Sequence, residues 1–392
     1  MHSTLNGYLK ATPMPLQMVP TTCENDNHKK YCVNTHKQFI GISMQKKYLP
    51  LVILVITLTI LAVLGFLGKP YIEPYYNAQF THYGYQYPAA DQDFVIRLEP
   101  SDITVPAFIL NTLKLAFYDR QVIISADKKP NLIIRSEHIK TSAANTIEYL
   151  QWNAPYVSYS MERWSLPTKK YRKNAPPLAE FVSTLPKKNR ELYFPFMAWC
   201  NLQPKRLYNH NHDRTKFLAY IASNCVQERE KLFAIIKERR TDAEALGMCS
   251  NPQKTRYPAD WGGLDQAYSH YNFAFAMENH QVPGYITEKI ITAFRGGAIP
   301  IYWGDSATVK KYFNPKAFVD VSSFKNLEEA AKYIVQLSYD PKAMERMRQE
   351  PIFIDNKIPD LFSINVDPQH PLLKKAAAFI RAEYFKALSQ DI

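Results

Sequence analysis

The stretch YNFAFAMENHQVPGYITEKIITAFRGGAIPIYWGD, Tyr271 to Asp305, decides how the rest of the chain is read. Phe273, Phe275 and Met277 alternate with smaller residues, a period of two that predicts a strand with at least one buried face. Glu278 and Asn279 end that pattern with two polar groups. Pro283 and Gly284 then fix a turn that breaks either periodicity. Thr287 can cap the free N–H groups of a helix whose apolar face is Ile290, Ile291 and Phe294. Gly296-Gly297 offers the left-handed residue that commonly ends a helix, and Ala298 to Trp303 reads as a second strand closed by Gly304-Asp305.

Strand, helix and strand in that order make a βαβ unit, whose ligands bind at the carboxyl end of the strands. A helix beginning there presents unpaired N–H groups and the positive end of its dipole, a good seat for phosphate. Lys289, in the first turn, is a cation where the dipole disfavours one. A bound anion would resolve the conflict; extension of the lysine into solvent is the competing reading.

Taken together, FAFAMEN, GYITEKI and AIPIYWGD closely resemble the donor-site signature of family 10 glycosyltransferases, the α-1,3/α-1,4-fucosyltransferases that use GDP-fucose. The likeness is dense over Tyr271–Asp305, continues more thinly through Phe313–Phe324, and is absent before about residue 90. It implies an α/β fold of the GT-B kind, two Rossmann-like domains facing a cleft. It also assigns Asn279, Tyr285, Glu288 and Lys289 to GDP-fucose, with Glu288 accepting hydrogen bonds from sugar hydroxyls and Lys289 facing the diphosphate. A packed aromatic over the loop is the other reading of Tyr285. Upstream, Arg229 follows Ser223-Asn224 and matches by resemblance an arginine that binds the diphosphate, at an interval one residue shorter than the family pattern. Arg229 could instead pair with a neighbouring glutamate. Glu162, after the strand-like Tyr156–Ser160 and before Pro167, matches by context the glutamate that looks like the family's general base; a surface glutamate paired with Arg163 is the alternative.

At 392 residues the chain is long enough for two ordinary domains plus extensions. The 46% hydrophobic content, with only 12 glycines and 27 prolines, fits neither a collagen-like nor a low-complexity protein. Of the net charge of +12, the first 47 residues carry +4, six lysines less Glu24 and Asp26, which leaves +8 for the remainder. A spread excess suits anionic small ligands or a membrane surface, and without a concentrated basic stripe nucleic acid is not expected as a partner.

Residues 1–47 are polar and aperiodic, and disorder is expected there. Residues 48–68, YLPLVILVITLTILAVLGFLG, contain no charge, and this length suffices for a helix crossing a bilayer core that needs ~20 residues. Lys46-Lys47 precede it and Lys69 follows, so the positive-inside tendency places the N-terminus in the cytoplasm. The expected localisation is a single-pass membrane protein, in the Golgi if eukaryotic, as the resemblance implies, or in the inner membrane if bacterial. Two features oppose a luminal domain. The five cysteines show no paired spacing that would mark a disulfide framework, and no Asn-x-Ser/Thr acceptor occurs.

Residues 69–88, rich in Tyr, Pro and Asn, read as a stem. An N-terminal Rossmann-like acceptor domain is expected over 89–214, a GDP-sugar-binding domain over 215–370, and a C-terminal helix over 371–392 that crosses back to the first domain. In the first domain DFVIRL, QVIISA and NLIIRS are strand-like, with a helix from about Ala107 to Phe117, and RELYFPFMAW holds a further strand. YRKNAPPLAEFVSTLPKK has no counterpart in the family pattern. Asp91-Gln92-Asp93 spells the acidic triplet with which many glycosyltransferases hold Mn²⁺, but it leads into a strand and reads as a solvated turn. In the second domain KFLAYIASN is a strand and Gln227–Arg240 a helix, capped near Asn224 or Cys225, with Arg229 in its first turn.

The function expected is inverting transfer of L-fucose from GDP-fucose to a hydroxyl of an oligosaccharide or glycoconjugate, O3 of GlcNAc or Glc. No cofactor is required, and Mn²⁺ would at most stimulate. A glycan-binding protein that has lost catalysis, and a transferase using another GDP-sugar, remain the alternatives.

Overall fold

The computed structural model describes residues 86–99, 105–136, 154–161, 177–199, 207, 214–254, 257 and 263–389. Among them, apolar strands alternating with helices build two parallel sheets. The first consists of β1 (Phe94–Leu98), β2 (Val122–Ile124), β3 (Leu132–Ser136), β4 (Tyr156–Ser160), β5 (Ala179–Val182) and β6 (Glu191–Tyr193), in the order β2-β1-β3-β4-β5-β6. Strands β3, β4 and β5 are buried at every position, as parallel strands covered on both faces must be. Helix α1 (Ala107–Ala116) lies between β1 and β2 in sequence and buries Phe108, Ile109 and Leu113 in their core.

The second sheet comprises β7 (Lys216–Tyr220), β8 (Glu244–Ala245), β9 (Tyr271–Met277), β10 (Ile299–Trp303) and β11 (Val319–Asp320), in the order β11-β10-β9-β7-β8. Its helices are α2 (Gln227–Arg239), α3 (Leu264–Tyr268), α4 (Glu288–Arg295), α5 (Ser306–Tyr312), α6 (Leu327–Ser338) and α7 (Pro341–Gln349). The alternation along β9 sorts them by face. Phe273, Phe275 and Met277 meet Leu232 and Phe233 of α2 and Ala330 and Ile334 of α6. The intervening Ala274 and Ala276 face Ile290, Ile291 and Phe294 of α4, where small residues let the helix come close. The last helix, α8 (Pro371–Ser389), returns to the first sheet, placing Leu373, Ala376, Ile380 and Tyr384 in its core. Arg381 fastens it to α1 through the Ala116 carbonyl at 2.8 Å and the Asp119 carboxylate at 2.7 Å.

Three backbone carbonyls of the β9–α4 loop accept hydrogen bonds from the β5–β6 region. Leu185 N–H donates to Pro283 O (2.9 Å), the Tyr193 hydroxyl to Gly284 O (2.9 Å), and Met197 N–H to Ile286 O (3.0 Å). Gly284 sits at φ +83°, and a Cβ there would come within 2.6 Å of the Leu185 nitrogen. Both backbone conformation and space therefore demand glycine.

Several expectations change. The segment without a family counterpart contains β5; four residues buried on both faces show no alternation to betray a strand. Cys225 and Cys249 form a disulfide with Cα atoms 5.1 Å apart, a pair brought together by the fold and invisible in spacing. Helix α2 begins at Gln227 as expected, with Val226, next to Cys225, at the cap position and no side-chain cap. Asp91-Gln92-Asp93 is, as expected, a turn at the amino end of β1, with Asp93 paired to Lys128 at 3.3 Å. The 48–68 segment lies outside the described residues, among which no helix is long and apolar enough to cross a membrane.

Gly284→Ala is expected to destabilise the protein by about 1–3 kcal/mol, read as a lowered Tm and urea midpoint. Arg381 beside Asp119 holds that carboxyl below its usual range. Its stabilising contribution is complete above the unfolded carboxylate's pKa and is lost as pH falls toward the folded one. Asp119→Asn should therefore flatten the acid limb of stability against pH, measured by urea unfolding between neutral pH and pH about 3.

Candidate functional site

Strands β7 and β9 are neighbours, but the chain leaves them toward opposite edges of the sheet, the reversal at which open α/β sheets bind ligands. A cavity of about 420 Å³ lies at their carboxyl ends. The Tyr220–Asn224 segment forms one wall, and Met277, Asn279, Tyr285 and Thr287–Lys289 form another; Met161, after β4, and Phe196 approach from the first sheet. Arg229, Asn279, Tyr285, Glu288 and Lys289, five residues singled out in the sequence, thus line one cavity.

Arg229 is 2% exposed, although it sits in the first turn of α2. Its Nη1 donates to Asn224 O (3.0 Å), and its Nη2 to Met277 O (2.5 Å) and Asn279 Oδ1 (2.8 Å). A guanidinium has five N–H groups, so two remain, one of them on the buried Nε, which has no hydrogen-bond partner. Among the described residues no carboxylate pairs with it, so the reading of Arg229 as partner of a neighbouring glutamate fails. Burial lowers its pKa, while nearby Tyr220 and Glu278 favour the charged form. A buried cation with unused donors suits an anion of matching geometry.

Glu278 was read only as the end of a strand. It is fully buried. Its Oε1 accepts from Thr287 N–H (2.7 Å) and its Oε2 from the Thr287 hydroxyl (2.6 Å), while Lys289 Nζ lies 3.4 Å from Oε2. Burial raises the Glu278 carboxyl, and Lys289 pulls it back. Thr287 is the cap of α4, accepting from Lys289 N–H and, at 3.0 Å, from Lys289 Nζ. The dipole conflict at Lys289 is thus met within the chain, by Glu278 and by Glu288, whose Oε1 is 3.6 Å from Nζ. The other Glu288 oxygen is buried with no hydrogen-bond partner. Tyr285 is buried in the cavity wall at the loop's end, so packing and cavity lining coincide there.

The opposite wall is braced by Glu230. Its Oε1 accepts from the Tyr220 hydroxyl (2.5 Å), and its Oε2 from the Ser250 N–H (3.1 Å) and hydroxyl (2.7 Å). With the Cys225–Cys249 disulfide this ties the Gly247–Ser250 loop, which supplies Gly247 and Met248 to the cavity, to α2. Sequence offered little signal for either brace, since a cysteine pair 24 residues apart and one glutamate in an acidic helix start look ordinary. Glu162 lies outside the described residues.

Two parallel sheets packed with helices and a cavity at a strand-order reversal define a class, the GT-B fold. A solved α1,3-fucosyltransferase shares it at TM-score 0.52 and 22% identity, covering 77% of this chain and 93% of its own. A second, described as an α1,3-fucosyltransferase with GDP-fucose, matches at TM-score 0.50 and 21% identity, covering 81% of this chain and 97% of its own. Residues 211–349 match glycosyltransferase family 10 (fucosyltransferase) C-term, the family whose donor-site motifs this segment resembles. The α-(1,3)-fucosyltransferase FucT of Helicobacter pylori is 55% identical over 69 residues, 18% of this chain and 14% of its own. The chain spans about a third or less of the length of the curated relatives it matches first.

The disulfide closes a loop for which chain-entropy arguments give about 3 kcal/mol. Reduction, or Cys249→Ser, is expected to lower stability by that order, and the joined peptides should be found in a non-reducing digest and vanish with reductant.

Proposed function

We propose that the chain is an inverting fucosyltransferase that moves L-fucose from GDP-fucose to a hydroxyl, O3 of GlcNAc or Glc, of an oligosaccharide or glycoconjugate. The observation that carries this reading is the convergence of Arg229, Lys289 and the start of α4 on one cavity at the β7/β9 reversal. The family match over 211–349, and the likeness to an α1,3-fucosyltransferase described with GDP-fucose, support the choice of donor.

In this reading the two remaining N–H groups of Arg229 and the ammonium of Lys289 receive the diphosphate, with the N–H groups that open α4 adding to the positive potential. The buried oxygen of Glu288 that lacks a partner accepts from a fucose hydroxyl. Asn279, whose Oδ1 is held by Arg229, turns its amide N–H₂ to the donor. Breaking the bond from anomeric carbon to phosphate oxygen adds negative charge to the leaving GDP, and fixed cations favour that state over the ground state. Glu162 takes the proton of the acceptor hydroxyl as it attacks from the opposite face, which inverts the anomeric centre. In this mechanism the cations do the work a metal does elsewhere, so no cofactor is needed. The 48–68 segment anchors the enzyme in a bilayer with its N-terminus in the cytoplasm.

Arg229→Ala and Lys289→Ala should each cut kcat/KM for GDP-fucose by about 10²-fold or more. GDP should raise the Tm of the wild type, and this shift should shrink in both variants. Glu162→Gln should lose transfer to lactose or N-acetyllactosamine while keeping the GDP-induced shift. Unchanged turnover in Glu162→Gln would remove that residue from the mechanism, and a wild type stabilised by UDP but not GDP would overturn the donor.

A further inference from the structure

Glu278 does not line the cavity at the β7/β9 reversal, yet its carboxylate organises Lys289, the cation at the start of α4 that does. Glu278 follows β9, its side chain is sealed, and both oxygens accept from Thr287, the cap of the next helix. The hydrogen bonds run in one direction. Lys289 Nζ donates to the Thr287 hydroxyl at 3.0 Å, and that hydroxyl donates to Glu278 Oε2 at 2.6 Å, with the ammonium itself 3.4 Å from the same oxygen. Glu288 Oε1 also lies within ionic reach of the Lys289 ammonium, at 3.6 Å. That glutamate lies beside it on the cavity wall, and its second oxygen has no partner.

From this arrangement we infer that Glu278 is a positioning residue for donor binding: it seats the Lys289 ammonium against the diphosphate and keeps it from collapsing onto Glu288. The inference rests on the donor site proposed above. Glu278 touches neither nucleotide nor sugar and acts only through Thr287 and Lys289. Its negative charge does not simply oppose the incoming diphosphate, because the ammonium at 3.4 Å largely cancels it at the distance of the cavity. Geometry therefore outweighs charge. Without the carboxylate the lysine turns to Glu288, and two donor contacts are lost together: the cation for the phosphates and the free oxygen for the sugar. An amide in place of the carboxylate would keep the volume, but its N–H₂ would point at either the Thr287 N–H or the ammonium.

Binding of GDP and of guanosine to the full chain, by calorimetry, separates this role from a structural one, since guanosine lacks the diphosphate. Glu278→Gln is expected to weaken GDP roughly tenfold while guanosine changes less than about twofold. In a Lys289→Met background the same change should have no further effect on GDP, because its target is gone. Thr287→Val removes the relaying hydroxyl but keeps the backbone hydrogen bond to Oε1, and should show the same selective loss. It serves as the test if Glu278→Gln does not fold. Proportional weakening of both ligands, full additivity with Lys289→Met, or tighter GDP binding would each overturn the positioning role and leave the donor site standing. A wild type that binds neither GDP nor GDP-fucose would remove the donor site itself, and this inference with it.

Discussion

A carboxylate that no water reaches must be met entirely by protein donors, and the one at the end of β9 is met by the first residues of the following helix. Leaving such a group unmatched costs several kcal/mol, so the end of the strand and the start of the helix cannot part without exposing or neutralising it. The positions of neighbouring groups follow from that constraint. Asn279, next in sequence after Glu278, falls within reach of Arg229 from α2; Glu288 and Lys289, next after Thr287, fall on the cavity wall. One buried ionic contact and its sequence neighbours thereby relate one strand end to two helix starts.

Charge in and just behind the cavity wall is balanced. Arg229 and Lys289 stand against Glu278 and Glu288, so the site is not a simple basic hole. The preference for an anion proposed above would come from where the charges lie. Arg229 keeps unused N–H groups beside the cavity, the Lys289 ammonium lines it, one carboxylate is sealed behind Thr287, and the helix start adds its own positive end. The net charge of +12 spread over the whole chain contributes a long-range attraction for polyanionic small molecules without specifying one.

Much of this was legible in the chain. The alternation from Phe273 to Met277, the Pro283-Gly284 turn and the Thr287 cap each have a local physical cause, and the strand, the φ of Gly284 and the cap all stand where those causes put them. Lys289 and Arg229 were conspicuous because each breaks the dipole rule of its own helix. What stayed hidden depends on contacts distant in sequence. Strand β5 is buried on both faces and so carries no period, and the cysteines at 225 and 249 meet only because β7 and β8 pair. Glu278 reads as a polar stop until the fold encloses it. A buried charge cannot be told from an exposed one by its letter.

The β9–α4 loop is also the place where the two sheets are stitched together, through Leu185, Tyr193 and Met197. A two-lobed protein that opens like a clamshell needs a slack joint beside its ligand, and here the joint beside the cavity is laced by three hydrogen bonds and a glycine with no room for a side chain. Large swings of one lobe against the other would have to break that lacing. With that lacing in place the two sheets act as one frame around the cavity, and the freedom left beside it belongs to individual side chains and to the loop on its far wall.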